Sequence, residues 1–241
     1  MAYEFDEVRK SQEIFYNLLK YHTLEEEKEP VLFNAYLENE NIQNLVKSQG
    51  EAADSRIERY GSVLYLIPDE DNYYLGFSKT ELKQSLCKSQ ATDKDYYLSQ
   101  FVILLLLMEF YDGKGASSKT RDYIKLGEFQ NIISERLREG CEKYSEEEQQ
   151  NYEVAFFPMM EAYEALKSDK NGNRSKTTKE GFLYHILKFL ENQNLIDYIE
   201  KDEMILTTKK LDNLMDWNIL NQNNYKRVEC LFSDEIELEE S

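Results

Sequence analysis

The side chains able to carry out proton transfer, nucleophilic attack or metal binding are few and scattered. The only histidines are His22 and His185, and Cys87, Cys141 and Cys230 form neither a Cys-x-x-Cys pair nor a cluster with them. A structural zinc site needs about four converging ligands, so no metal is expected, and three separated thiols give no disulfide framework. Gly113-Lys-Gly115 lacks the spacing of a phosphate-binding loop. No G-x-S-x-G, H-E-x-x-H or G-x-G-x-x-G sequence is present. His185 lies among Phe182, Leu183, Ile186 and Leu187, the setting of a packed helical imidazole. The glutamates fall in runs or on polar helical faces, where a solvated surface is the ordinary outcome. The sequence therefore predicts no catalytic residue and no cofactor.

Charge points the same way. The 241 residues carry a net charge of −18, which repels polyphosphates on average and argues against broad binding to nucleic acid or anionic lipid. One segment runs against that trend. KSDKNGNRSKTTK, residues 167–179, holds Lys167, Lys170, Arg174, Lys176 and Lys179 against Asp169 alone. It enters a helix through Thr177-Thr-Lys-Glu180, a capping box, and free N–H groups at a helix start favour phosphate oxygens. A second basic loop carries Lys114, Lys119 and Arg121. These residues are candidates for a sequence-independent DNA backbone contact. The alternative is a solvated loop whose cations offset nearby carboxylates. Gly181, Phe182, Tyr184 and His185 occupy positions where major-groove readers carry Arg, Asn or Gln, so base-specific reading is not expected.

The elements that would position these residues follow from periodicity. Nine glycines and three prolines in the whole chain favour helices over a turn-rich sheet fold. Helical spacing predicts helices over 6–21, 31–39 and 41–49, then a hairpin, 57–60 with 63–68, around Gly61-Ser62. YYLGF, residues 73–77, reads as a third extended piece, and Ser78-Lys-Thr-Glu81 opens a helix over 79–88. Thr92 opens the next helix. A short strand over 122–126 and a helix over 127–140 follow, then an inserted helix near 146–168, a helix over 181–193, a hairpin over 195–208 turning at 201–203, and a helix from 209 to about 217. Helix, helix, helix, hairpin is the order of a winged helix. The expected fold is mainly α with short β-hairpins, in tandem winged-helix domains over 1–91 and 92–220, with a C-terminal segment over 221–241 that ends in an acidic tail.

The run FVILLLLM, residues 101–108, is flanked by Ser99, Gln100, Glu109 and Asp112. It is too short for a membrane span, which takes about 20 apolar residues. As the first helix of the second domain it turns Leu98, Phe101, Val102, Leu105 and Met108 to its own core. Ile103, Leu104 and Leu107 are left to face the first domain or a partner chain. The acidic, amphipathic N-terminus MAYEFDEVRKSQ lacks an apolar signal core, so a cytoplasmic location is expected.

YGSVLYLIPDEDNYYLGFSKTELK (60–83), YLSQFVILLLLMEFYDG (97–113) and LENQNLIDYIEKDEMILTTKKLDNLM (190–215) resemble the MukE-like accessory subunit of Wadjet plasmid-defence systems, with the likeness spanning roughly residues 5–230. The resemblance implies a kite-class protein. Such proteins are tandem winged-helix homodimers without catalytic activity that bind a kleisin-like subunit and, through it, an SMC-like ATPase that extrudes DNA loops. A separate subunit cuts the plasmid. The other reading of the same elements is a winged-helix transcription regulator.

Overall fold

The computed structural model describes residues 3–69, 71–111, 119–152, 154–168 and 174–216. It divides into two units, Met1–Lys79 and Thr80–Ser241, and is mainly helical, with two small antiparallel sheets.

In the first unit, α1 (Phe5–Tyr21) starts from a reciprocal Glu4–Glu7 capping box and buries Ser11, Ile14 and Leu18. It ends at His22, whose left-handed backbone (φ 60°) returns an N–H to the Leu18 carbonyl. β1 (Thr23–Glu25) follows. α2 (Pro30–Glu38) begins on a proline, whose fixed φ and missing N–H suit a first helical turn. α3 (Glu40–Ala52) is capped by Asn39, which accepts from Asn41 N at 2.9 Å and Ile42 N at 3.2 Å. The Asn39 and Asn41 amides both donate to Glu7 Oε1, at 3.1 and 3.0 Å, fastening the start of α3 to α1. β2 (Ser55–Tyr60) and β3 (Val63–Pro68) form a hairpin whose turn places Gly61 at φ 55°, where glycine pays no Cβ penalty. The sheet order is β1-β3-β2. Leu24 of β1 pairs with Leu64 of β3, and both are buried with Ile14, Leu18, Phe33 and Val46.

The second unit repeats this order. α4 (Lys79–Leu86) leads into α5 (Asp93–Phe110), followed by β4 (Tyr123–Lys125), α6 (Leu126–Lys143), α7 (Glu146–Asn151), α8 (Phe156–Glu164), α9 (Lys179–Asn192), β5 (Ile196–Ile199), β6 (Met204–Thr207) and α10 (Lys209–Asp216). Its sheet order is β4-β6-β5. The short edge strand again pins one buried residue to the central strand, Ile124 against Ile205. Helix, short strand, helix, helix, hairpin thus occurs twice, with α7 and α8 added between the second and third helices of the second set.

Several expectations require correction. The boundary falls at 79/80 and not at 91/92, because α4 packs with the second unit: Leu86 and Cys87 are buried in its core. β1 (Thr23–Glu25) falls between the first two expected helices, where no strand is expected. Residues 73–77 form turns, organised by Asn72, whose amide donates to Ala53 O at 2.8 Å and Asp54 O at 3.0 Å and whose Oδ1 accepts from Leu75 N. The inserted helix is two helices. Pro158 sits in the first turn of α8, where its missing N–H costs nothing; one continuous helix through it would lose a hydrogen bond. The C-terminal segment over 221–241 with its acidic tail, and Cys230, lie outside the described residues.

α5 sits at the centre of the second core. Leu98, Phe101, Val102, Leu105, Leu106, Leu107 and Phe110 are buried, and Met108, Ile103 and Leu104 pack half-buried against the same cluster. Leu107, expected to face another domain or subunit, is therefore covered within its own unit, as Ile103 and Leu104 are in part. The added α8 packs on the Phe101 side of the helix: Phe156 meets Phe101 edge to face, with ring centroids 5.8 Å apart. Among the described residues no helix is long and apolar enough to cross a membrane.

Candidate nucleic-acid interface

The basic segment ahead of α9 is a built turn. Thr178, and not Thr177, caps the helix: its hydroxyl accepts from Gly181 N at 3.0 Å and donates to the Ser175 carbonyl at 2.9 Å. The chain pairs with the end of the α8 segment through Lys167 N to Thr177 O at 3.1 Å and Lys179 N to Lys167 O at 3.0 Å. The turn folds so closely over the helix start that a Cβ on Gly181 would lie 1.9 Å from the Ser175 carbonyl oxygen.

Within this frame most of the candidate cations are already engaged. Arg174 stacks on the Tyr184 ring at 4.3 Å, donates to its hydroxyl at 3.1 Å, and pairs with Glu200 on the β5–β6 hairpin. Lys188 joins the same network, 2.8 Å from Glu200 and 2.7 Å from Glu191. The hydrogen bond from Lys188, with the nearby Arg174 charge, holds the Glu200 carboxyl below the usual range, and bonding to Glu191 and Glu200 pushes Lys188 up. Lys176 turns inward. Its ammonium donates to the Gln84 and Ser85 carbonyls at 2.6 and 2.7 Å, at the partially negative end of α4, and burial pushes its pKa down. Lys179 lies over the Tyr163 ring at 4.3 Å. Lys167 is exposed.

In the second basic loop, Lys119 stands 3.8 Å from Asp212, and Arg121 pairs with Glu109 at 2.9 Å and Glu128 at 2.7 Å. Lys114 and Lys170 lie outside the described residues. His185 brings its Nε2 to 3.1 Å from the Arg174 carbonyl and is pushed down by burial and by Lys176. It braces the turn from below.

The segment thus presents Lys167 to solvent, with Lys179 half-buried and the start of α9 covered by the turn, beside an exposed Arg174 whose ion-pair partner Glu200 is half-buried. Such pairs contribute about 0–1 kcal/mol each, so phosphate can compete for Arg174 at little cost. Phe182 and Leu183 are buried and Tyr184 and His185 half-buried, which leaves α9 without a row of base-reading side chains. The Arg174–Glu200 pair joins residues 26 apart in sequence and has no local signature. The acidic composition of the hairpin turn is the one feature that could have pointed to it.

No curated protein matches the chain. The model of the family of unknown function DUF6063 matches residues 1–239, and the chain belongs to that family.

Proposed function

We propose that this chain is a non-enzymatic, kite-type accessory subunit of a bacterial SMC-like complex of the Wadjet type, acting in the cytoplasm. In this reading each unit is a winged helix, with the β2–β3 and β5–β6 hairpins as wings. The protein forms a homodimer, binds a kleisin-like subunit and through it an SMC-like ATPase, and helps hold DNA by backbone contact during loop extrusion and plasmid restriction. The observation that supports it most is the recurrence of helix, short strand, helix, helix, hairpin with matching strand orders in both units. The motif content of the sequence agrees, offering no nucleophile–base pair and no phosphate loop.

The transcription-regulator reading shares the fold but needs base contacts from α9, whose first turn buries Phe182 and Leu183. The accessory-subunit reading is tested by co-expressing the full chain with a kleisin-like chain from the same genome, followed by size-exclusion chromatography with light scattering. A dimer that co-elutes with that chain is expected. A stable monomer that ignores it would sink the proposal, and tight preference for one operator over random DNA would favour the regulator.

A further inference from the structure

Glu200 sits where two cations converge beside a phenol. It follows β5 at the start of the hairpin turn, and its two carboxylate oxygens have different partners. Oε2 accepts from the Arg174 guanidinium, and Oε1 stands 2.8 Å from Lys188 Nζ. The Tyr184 ring meets both cations: its centroid is 4.3 Å from the Arg174 guanidinium and 5.8 Å from the Lys188 ammonium. A carboxylate bridging an arginine and a lysine has the charge and the accepting capacity of one backbone phosphate, which also carries a single negative charge.

Both cations have a second hold that does not depend on that carboxylate. Arg174 keeps the Tyr184 ring against it and the Tyr184 hydroxyl at 3.1 Å. Its own carbonyl is braced by His185 Nε2 at 3.1 Å. Lys188 keeps Glu191 at 2.7 Å. The position that Glu200 fills is therefore preorganised, and an anion replacing it has little side-chain freedom to quench. The Arg174 side chain is 58% exposed and that of Glu200 34%. Ion pairs this open to water are weak, so the carboxylate is exchangeable.

We propose that Glu200 is a built-in competitor for a phosphate of the DNA backbone: its carboxylate occupies the oxyanion position formed by Arg174, Lys188 and Tyr184, and DNA engages this face by displacing it. The exchange swaps one singly charged oxyanion for another. Wild-type protein thus gains little affinity from Arg174, and the contact stays weak, reversible and independent of sequence. Asp202 and Glu203 share the turn with Glu200 and oppose an approaching phosphate, so displacement is favoured only where neighbouring cations such as Lys167 hold the duplex close. The inference deepens the backbone-contact reading of the basic turn and rests on it.

A fluorescence-anisotropy titration of a random-sequence duplex with the full chain tests it. The proteins are wild type, Glu200→Gln, Glu203→Gln, and Glu200→Gln combined with Arg174→Gln. Glutamine keeps the shape of the side chain and removes its charge, and Glu203→Gln makes the same charge change elsewhere on the same turn. Expected for Glu200→Gln is binding about two- to fivefold tighter, with a log–log salt slope steeper by about 1. Glu203→Gln should gain clearly less, and the double variant should fall back to the wild-type level or below. If Glu200→Gln binds as wild type does, if Glu203→Gln gains as much, or if the double variant keeps the gain, the competitor assignment is overturned while the backbone contact stands. If neither wild type nor Glu200→Gln binds the duplex, the contact reading fails and the competitor assignment with it.

Discussion

Gly181→Ala offers the sharpest test of how the basic turn is held on α9. The new methyl would sit 1.9 Å from the Ser175 carbonyl oxygen, 2.5 Å from its carbon and 2.7 Å from the Arg174 carbonyl carbon. All three are backbone atoms, so no side chain can swing aside and the turn must move. Overpacking costs about 1–3 kcal/mol when neighbours adjust poorly, and displacing the turn also breaks the Thr178 cap, worth about 1 kcal/mol. Alanine returns at most about 1 kcal/mol through helix propensity. The net expectation is a loss of about 1–3 kcal/mol, or roughly 2–12 °C in midpoint for a unit of this size. Gly127→Ala is the matched control: nothing lies within 4 Å of its Cβ position in the first turn of α6, so it should be neutral or stabilise by up to about 1 kcal/mol. Urea unfolding followed by far-UV circular dichroism reads both, with transitions of the two units fitted separately. A Gly181→Ala protein within about 0.5 kcal/mol of wild type, or a Gly127→Ala loss of equal size, would refute the close-approach reasoning.

Other expectations follow from single contacts. Burial raises the Asp95 pKa, but its bonds to Lys88 and to Thr92 outweigh this and hold it below 3.8. Its stabilising effect is thus complete above that value and lost as pH falls through the lower folded value, so Asp95→Asn should lose about 1–3 kcal/mol at neutral pH and flatten the acid limb of the stability profile. Tyr111→Phe removes the phenol that donates to Asp212 Oδ1 on α10 and should cost about 1–3 kcal/mol, with limited proteolysis detecting earlier cleavage at α10. Burial lowers the pKa of Lys210, whose ammonium donates to the Gln193 carbonyl at 2.9 Å. The unfolded chain then binds more protons in the alkaline range below 10.5, so stability gains from this residue as pH climbs toward that value, and Lys210→Met should remove that gain. If α9 meets DNA, Lys167→Glu with Lys179→Glu should weaken binding equally for all sequences and reduce the salt-dependence slope by about 2 in a fluorescence-anisotropy titration.

What the sequence disclosed depended on how local each signal was. α1, α6 and α9 carry apolar stripes at helical spacing, and Gly61 with its flanking β-branched and aromatic residues marks the first hairpin; both kinds of pattern are written in neighbouring residues. β1 was hidden because a three-residue edge strand needs one buried side chain, Leu24, and takes its definition from pairing with β3. Leu107 is buried with the rest of the second cluster; helical periodicity assigns one face to the core and does not show that a helix is covered on more than one side. The α4 boundary failed for a related reason: its few buried residues do not announce which core they join. At the basic turn the sequence marked the cations but not their partners. Glu200, Tyr163 and the α4 carbonyls are brought to them by tertiary folding, as Asp212 is to Lys119 in the second basic loop, and that turns an apparent patch of free charge into a largely neutralised one.

The near-complete enclosure of α5 bears on how the second unit comes apart. A helix covered on one side can fray or detach while its neighbours persist. α5 contacts α6 and α8, and its buried residues share one cluster with α9, β5 and β6. Exposing its amides to solvent requires all of these to separate. Its mid-helix amide protons, from Phe101 to Leu107, should therefore exchange only through whole-unit opening, and their slowest rates measure the full unfolding free energy of that unit. The turn before α9, held by the Thr178 cap, the Lys176 bonds to the α4 carbonyls and the Arg174–Glu200 pair, can open without separating those elements and should exchange sooner, so a ligand that fastens it would slow the turn while leaving the α5 clock unchanged until binding becomes tight enough to stabilise the entire unit.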